Sequence, residues 1–269
     1  INGNTLEVLD KLQGKIIIFD IIEDKITKVI EVPRYVERIE KIGNSYLLSS
    51  SYSPVDSNGC EIFYKNMDDN SLRCLDFSTS EYNQGFLITD SPFSPIPYKN
   101  SYLHYQFFSP DIRRISKDGV ELAYNIDFGN LLPNESKLMQ AKDDRVKKLR
   151  LLNDSNYTSG MRLAAESDKT LMIMFPFQRR AYYLFYDKNN ETNKLLYCDP
   201  ERGDDINFGY LPTFAKGMTE ENELVFIIQP SIFKDFSRDD ENTSNKYYDL
   251  VNNLDYIDNP VIVFAQLKE

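Results

Sequence analysis

An arginine pair beside aromatic residues is the part of the sequence best suited to binding a ligand. The stretch PFQRRAYY (176–183) contains Arg179 and Arg180, followed by two tyrosines. A guanidinium offers a rigid fork of donors to a carboxylate, and tyrosine rings stack on sugars or planar side chains. In a chain of net charge -11, a basic pair also draws anionic groups to its position. The alternative is that both arginines only balance neighbouring acids.

Histidine-based catalysis would have to use one residue. His104, in SYLHYQFF, is the single histidine, so a Ser-His-Asp or Cys-His unit has no second candidate. We favour a structural, hydrogen-bonded histidine among aromatic residues and assign no catalytic residue. A hydrolase or lyase using Asp, Glu, Tyr and Arg, or a metal, remains the alternative to a non-catalytic protein.

Metal binding has little support in the residue pattern. One histidine cannot build a His-based site, and no Cys-x-x-Cys spacing indicates zinc. The acidic stretches 187–193 and 237–245 lack the glycine that an EF-hand loop requires at its sixth position. The first is expected to be a hairpin turn and the second the solvated start of an insert. We therefore expect no metal and no cofactor.

Two of the three cysteines could form a local disulfide. Cys60 and Cys74 flank the hairpin CEIFYKNMDDNSLRC, and folding it about Met67 places them opposite each other. Oxidising compartments permit such a bond, although cross-strand geometry is often strained. The disulfide and the reduced pair both remain open, with Cys198 free in either case.

Composition limits the partners. The net charge of -11 and a pI near 4.8 argue against a nucleic-acid backbone or an anionic membrane surface, since both would repel the protein. No apolar run approaches the roughly 20 residues that span a bilayer. A glycan, a peptide or a partner protein is the expected ligand, bound by a monomer.

A repeated pattern of strand, tight polar turn and strand organises the chain. Pairs of this kind begin near residues 14, 61, 111 and 182. Further strand pairs are predicted at 36–50, 93–107, 160–175 and 212–229. Four antiparallel strands per unit, repeated about every 45 to 80 residues, are typical of β-propeller blades. The sequence thus predicts an all-β propeller with five recognisable units and short helices in the inserts 134–152 and 230–259.

The first unit lacks its innermost strand and the last, ending in NPVIVFAQL, lacks its outermost. Propeller rings close by letting a strand from one end complete the blade at the other. The chain also starts at Ile1 without a signal-like segment. We therefore expect one domain over 1–269 that has lost upstream residues.

The longest connections in this arrangement emerge on one face of the propeller. If the strands of a blade are named a to d from the axis outward, the long connections are b–c or d–a. Binding usually resides in such loops. The predicted ligand-binding residues on that face are Arg179, Arg180, Tyr52, Asp56, Arg202 and Tyr210.

Three stretches carry a family resemblance: NPVIVFAQLK (259–268), DGVELAYNIDFGNLLP (118–133) and FDIIEDKITKVIEVP (19–33). In these the chain resembles the six-bladed β-propeller family of Bacteroidetes, NHL- and TolB-like in architecture, with many uncharacterised exported lipoproteins. The resemblance implies a protein of the periplasm or outer-membrane surface, lipid-anchored through an upstream N-terminus. It departs from the family in showing five units and in lacking Gly-Pro-rich turns early in the chain. The function expected is an exported, non-catalytic binding module.

Overall fold

The structure is a computed structural model of the chain. It describes residues 4–34, 36–50, 60–77, 93–94, 96–141, 144–152, 154, 156–178, 180–199, 203–204, 215–231, 255 and 259–266. Within these residues the strands form five consecutive sheets, which we number as blades 1 to 5.

Each blade pairs strands that follow one another in the sequence. Blade 1 consists of β1 (Thr5–Asp10), β2 (Lys15–Asp20) and β3 (Lys25–Glu31). Blade 2 consists of β4 (Arg38–Ile42), β5 (Ser45–Ser49), β6 (Cys60–Lys65) and β7 (Leu72–Phe77). Blade 3 consists of β8 (Tyr102–Tyr105), β9 (Asp111–Ser116) and β10 (Gly119–Asn125).

Blades 4 and 5 complete the series. Blade 4 consists of β11 (Leu163–Glu166), β12 (Thr170–Phe177), β13 (Arg180–Asp187), β14 (Thr192–Asp199) and β15 (Gly203–Asp204). Blade 5 consists of β16 (Gly217–Met218), β17 (Glu223–Ile228) and β18 (Val261–Gln266). Consecutive meanders of this kind are β-propeller blades, so the predicted all-β fold class is confirmed.

The predicted helical insert at 134–152 forms two α-helices, α1 (Glu135–Ala141) and α2 (Arg145–Leu152). A short 3₁₀ turn (Gly129–Leu131) precedes them. The Asn134 side chain accepts the Lys137 amide at 3.1 Å, and the Asp144 carboxylate accepts the Val146 amide at 2.9 Å. These N-caps satisfy amides that lack a partner inside the helix. Among the described residues, no helix is long and apolar enough to cross a membrane.

The other predicted helix lies outside the described residues. Its apolar positions are Tyr247, Leu250, Val251 and Leu254.

The chain divides into two compact units. The first comprises Ile1–Ser91, Arg114–Glu121 and Asn134–Arg150, and the second comprises Pro92–Arg113, Leu122–Pro133 and Leu151–Glu269. The single domain over 1–269 stays a prediction.

Within each unit, alternating apolar side chains build the cores between consecutive blades. In the first unit, Ile16 and Ile30 of blade 1 pack with Tyr46 and Leu48 of blade 2. In the second unit, blade 4 is covered on both faces. Its odd-numbered Leu171, Ile173 and Phe175 pack with residues of blade 3, including Leu103 and Ile112.

The opposite face of blade 4 packs on blade 5. Met172 of β12 and Tyr183 of β13 belong to the same buried cluster as Leu224, Phe226 and Ile228 of β17. Because side chains alternate between the two faces of a strand, one eight-residue strand supplies both cores.

The strand pair predicted at 93–107 is shorter than expected. Within the described residues, its first strand is limited to bridges that join Phe93 to His104 and Tyr98 to Ser101. Positive φ angles at Lys99 and Asn100 produce the tight turn between them.

The hairpin of Cys60 and Cys74 has a different register from the expected one. Two irregularities in β6 place Cys60 opposite Phe77 and Cys74 opposite Phe63. The structure nevertheless joins the cysteines by a disulfide, with their Cα atoms 6.0 Å apart. The bulged strand shifts the pairing but keeps both thiols on the same side of the sheet.

Candidate functional site

The connection that carries the predicted arginine pair is a tight turn. Phe177 at the end of β12 lies opposite Arg180 at the start of β13, and Gln178 has a positive φ of 49°. Only residues 178 and 179 separate the two strands. Arg180 is therefore held by a paired strand rather than by a long loop.

Arg180 is the one predicted ligand-binding residue within the described part of the chain. The other predicted residues lie outside it: Arg179, Tyr52, Asp56, Arg202 and Tyr210. Their grouping with Arg180 stays a prediction.

Arg180 stands at the end of a row of aromatic side chains. Its guanidinium carbon lies 5.1 Å from the centre of the Tyr197 ring. The Tyr197 ring is 6.0 Å from Tyr182, which stacks on Phe175 at 5.5 Å and an angle of 12°. Phe177 lies 6.1 Å from Tyr182. We call Phe175, Phe177, Tyr182 and Tyr197 the aromatic row.

Strand pairing explains why these rings meet. Phe175 lies opposite Tyr182, and Tyr182 lies opposite Tyr197. Residues directly opposite on neighbouring strands share a face, so three strands present their rings side by side. The row runs from Phe175, which is 7% exposed, to Tyr197, which is 36% exposed.

The exposed end of the row has the chemistry of a recognition surface. The guanidinium over Tyr197 lies within the range of a cation–π contact. Such a pair presents donors for a carboxylate or hydroxyl beside a ring face that can stack on a sugar or a planar group. Sequence reasoning missed Tyr182 and Tyr197 as members. The alternating aromatic positions in β12 to β14 contain the signal, but it emerges only once the strand register is known.

A polar cluster lies at the opposite ends of the blade 4 strands. Lys188 donates to Glu166 Oε1 and to the Ser167 carbonyl, each at 2.6 Å. Tyr124 also donates to Glu166 Oε1 at 2.6 Å. The Lys188 ammonium lies 4.9 Å from the centre of the Tyr98 ring. These contacts join three turns, so the cluster has a structural role.

Exposed charges extend this cluster. Lys99 pairs with Asp168 at 2.7 Å, and the Tyr98 hydroxyl donates to the same carboxylate. The hydrogen bond from Lys99, and then that from Tyr98, lowers the pKa of Asp168. Asp168 therefore remains ionised at neutral pH.

His104 is buried in blade 3. It is 3% exposed, and its ring lies 5.6 Å from Phe93. Burial, and then the nearby positive charge of Arg113, lowers its pKa to about 3. Its Nδ1 atom has no hydrogen-bond partner among the described residues, so the hydrogen bond expected from the sequence is not seen at this atom. A histidine that stays neutral at physiological pH and is closed to solvent fits the structural interpretation.

Glu40 is a described carboxyl whose pKa lies well above its usual range. Burial raises its pKa to about 7, with Arg38 acting in the opposite direction. It lies on β4, the first strand of blade 2. A carboxyl that titrates near neutrality can exchange protons with a substrate at physiological pH.

A groove of about 750 Å³ lies in the first unit. Residues 28–33 of β3 and the segment after it form one side, and the β6–β7 hairpin forms the other. Lys65 enters it but already donates to the Asn70 carbonyl at 2.7 Å. The lining mixes these polar groups with Val29 and Leu72, so no ligand class stands out.

The acidic stretch at 187–193 is a hairpin turn, as expected. The Asp187 carboxylate accepts the Asn189 amide at 2.8 Å and the Asn190 side chain at 2.8 Å. The second acidic stretch, 237–245, lies outside the described residues. Within the part of the chain that the structure covers, His, Cys, Asp and Glu form no group of three that could hold a metal ion.

The sequence matches one protein family over nearly its full length. Residues 1–266 match the family described as Domain of unknown function (DUF4934). The chain belongs to the DUF4934 family. The six-bladed, NHL- and TolB-like assignment that the sequence resemblance implies stays a prediction.

Solved structures give the DUF4934 chain a fold relative. A protein of Bacteroides fragilis NCTC 9343, assigned as an exported protein, is similar with a TM-score of 0.72 and 16% identity. The match covers 100% of this chain and 76% of that one. This similarity supports the fold of the DUF4934 chain.

A second solved structure is a weaker match. The β-propeller domain of Cps50 (Swd1) from Myceliophteria thermophila has a TM-score of 0.42 and 8% identity, covering 85% of this chain and 61% of that one. No curated protein matches the DUF4934 chain.

Proposed function

We propose that the protein is an exported, non-catalytic binding module that recognises a glycan, a peptide or a partner protein. The binding surface is the exposed end of the aromatic row together with Arg179 and Arg180. The guanidinium of Arg180, 5.1 Å from the Tyr197 ring centre, carries the proposal. Tyr52, Asp56, Arg202 and Tyr210 are proposed to extend this surface.

The compartment is part of the same proposal. The Bacteroides fragilis protein of similar fold is assigned as exported, and the Cys60–Cys74 disulfide suits an oxidising compartment. We propose a periplasmic or cell-surface monomer, lipid-anchored upstream. The finer fold assignment is a six-bladed propeller of the NHL and TolB type.

The ligand class is tested with arrays of glycans and short peptides probed with the purified protein. Ligands found there are then titrated against Arg179→Ala, Arg180→Ala and Tyr197→Ala. A loss of affinity of about tenfold or more is expected for Arg180→Ala, because charge-assisted hydrogen bonds and stacking contribute about 1.5 to 3 kcal/mol. Lys194→Ala is the matched control, since Lys194 is exposed on β14 opposite Phe185, on the other face.

Two results would count against this function. Unchanged affinity of Arg180→Ala and Tyr197→Ala, with native circular dichroism, would remove the row from the binding surface. An array in which a folded protein binds nothing would contradict recognition of glycans and short peptides.

A hydrolase or lyase is the second candidate, and Glu40 is the observation that favours it. Its pKa of about 7 suits a general acid or base. Turnover of arrayed glycosides or uronides by the wild type, lost in Glu40→Gln with the fold intact, would establish catalysis over simple binding.

A further inference from the structure

β3 is an edge strand of blade 1. The sheet has the order β1-β2-β3, so within the described residues β3 pairs with β2 alone. The groove of about 750 Å³ lies along this strand, with residues 28–33 on one side and Lys65, Met67, Asn70 and Leu72 on the other. The side chains of this lining do not by themselves indicate a ligand, whereas the backbone groups along β3 do.

The pairing of β3 with β2 decides which backbone groups face the groove. Val32 donates its amide to the Gly14 carbonyl at 2.9 Å, so these two residues form a hydrogen-bonded pair. Such pairs recur at every second residue of an antiparallel ladder, and Ile30 is therefore bonded to β2 as well. Val29 and Glu31 alternate with these residues and line the groove. Their N–H and C=O groups point away from β2, so β3 presents two donors and two acceptors to the groove.

Blade 4 shows that an edge strand of this chain can take a further strand. The long strand β14 pairs on its far side with the two-residue strand β15. This pairing is antiparallel, with Cys198 opposite Asp204 and Asp199 opposite Gly203. β3 likewise ends the meander of blade 1, and in the described part of the chain it has no such addition. An extended segment paired with β3 would repeat the arrangement of blade 4.

An added strand would place one side chain against the core of the first unit. Ile30 is 4% exposed and belongs to this core, on which Met67 also packs. Directly opposite residues on paired strands share a face, so an added residue opposite Ile30 points towards the same core. Leu72, on the other wall of the groove, is 43% exposed. These surroundings favour an apolar side chain opposite Ile30.

Two lysines make the same face of the groove basic. Lys28 is exposed and lies two residues before Ile30, so the two side chains share a face. Lys65 lines the other wall, and its ammonium donates to the Asn70 carbonyl at 2.7 Å, which leaves donors for a further acceptor. A carboxylate is therefore favoured opposite Lys28. Glu31 points to the other face and favours a basic residue opposite itself.

We propose that the groove along β3 binds an extended peptide segment of a partner protein, which joins blade 1 as an antiparallel strand. The segment bonds to the backbone of Val29 and Glu31. It places an apolar side chain opposite Ile30 and, two residues later, a carboxylate opposite Lys28. Main-chain hydrogen bonds supply the affinity of such a complex, and alternate side chains supply its specificity. The proposal is independent of the binding surface on blade 4.

The probe is a fluorescein-labelled peptide, Ser-Val-Lys-Ile-Thr-Glu-Thr-Ser, titrated against the wild type by fluorescence polarisation. Its isoleucine is designed to lie opposite Ile30 and its glutamate opposite Lys28. Methylating the amide nitrogens of the third and fifth residues removes the two donors to β3 and should weaken binding at least about tenfold. Methylating those of the fourth and sixth residues is the matched control. These amides point away from β3, so binding should change less than about twofold.

Variants of β3 test the same contacts from the side of the protein. Val29→Pro removes an N–H that faces the groove, and proline is tolerated at such positions of an edge strand. It should weaken probe binding at least about tenfold, whereas Val29→Thr should retain it. Lys28→Glu should weaken binding about threefold, and a probe with lysine in place of its glutamate should restore it. Lys194→Glu makes the same charge change at an exposed side chain of blade 4 and should bind as the wild type does.

Four results would overturn the proposal. One is the absence of saturable probe binding up to about 1 mM protein. Another is equal weakening by the two methylation patterns, and a third is unchanged binding by a folded Val29→Pro variant. The fourth is a loss of probe binding as protein concentration rises, which would identify a second copy of the chain as the occupant of β3. If Val29→Pro does not fold, the methylated probes decide the matter on the wild type.

Discussion

Lys188 and Glu166 form a largely buried ion pair, with the ammonium 2.6 Å from Oε1. The Glu166 side chain is 2% exposed and that of Lys188 is 18% exposed. Lys188 follows β13 and Glu166 ends β11, so the pair connects strands that are not neighbours in blade 4. The charge of Glu166 therefore depends on a partner from across the sheet.

Replacing Lys188 with Met should destabilise the protein strongly. The variant keeps an apolar stem but removes the Lys188 ammonium from the buried Glu166 carboxylate, and breaking a buried ion pair in this way costs about 3 to 5 kcal/mol. Urea unfolding followed by circular dichroism measures the loss. Adding Glu166→Gln should restore part of the stability, because the buried negative charge that lost the Lys188 ammonium disappears.

Lys99→Met is the matched control for this prediction. Lys99 also pairs with an acid at a turn, but the side chains of Lys99 and Asp168 are 67% and 72% exposed. Exposed pairs contribute little because water screens them. Equal losses for the two variants would show that the Lys188 pair behaves as a surface contact.

Glu40 should make stability fall as the pH rises. Its pKa is raised from 4.5 to about 7, with burial as the main cause. Between these two values the folded state holds a proton that the unfolded chain has released, so stability falls across this window and levels off above about pH 7. Glu40→Gln should remove this slope and be more stable than the wild type at pH 8.

Unfolding midpoints at pH 4.5, 6, 7 and 8 provide the measurement for Glu40. Glu37→Gln serves as control because Glu37 is an exposed acid three residues away, and it should keep the slope of the wild type. An identical pH profile for Glu40→Gln and the wild type would disprove the assignment.

His104 should make stability fall as the pH decreases, which is the opposite of the effect of Glu40. Its pKa falls from 6.5 to about 3 because the ring is buried. Below about pH 6.5 the unfolded chain takes up a proton that the folded chain does not, so stability falls as the pH decreases towards 3. His104→Leu should lose this component and flatten the acid limb of the stability curve, as measured by thermal unfolding between pH 4 and 7. A His104 resonance that titrates near pH 6.5 in the folded protein would refute the prediction.

The Cys60–Cys74 disulfide should contribute about 3 kcal/mol to stability. The cysteines are 14 residues apart in sequence, and closing a loop of that size removes chain entropy from the unfolded state. Cys60→Ala combined with Cys74→Ala should show this loss in urea unfolding, while Cys198→Ser should match the wild type. A mass unchanged by reduction would show that the bond is absent in the protein.

Hairpin positions could be read from the sequence because their causes are local. Alternating apolar residues and Asp, Asn or Gly in the turns predicted nearly every hairpin, including β2–β3 and β13–β14. The turn at Asp187 was likewise foreseeable, since its carboxylate binds amides only two and three residues away.

Cross-strand partners were decided by register, which sequence periodicity does not specify. Cys60 and Cys74 are an example. The sequence predicted that they lie opposite each other, but irregular pairing in β6 places Cys74 opposite Phe63. The contact between Tyr197 and Arg180 also depends on register, because the β13–β14 pairing sets which side chains are adjacent.

The sequence by itself determined the all-β class, the repeated antiparallel units and the position of the single histidine among aromatic residues. Only the tertiary structure decided that Arg180 stands at the end of an aromatic row, that Glu166 meets Lys188 and Tyr124, and that a groove lies along the edge strand β3. The physical reason is the distance along the chain over which each kind of interaction acts. Strand and turn formation depend on neighbours within a few residues, whereas these contacts depend on how whole sheets pair and pack.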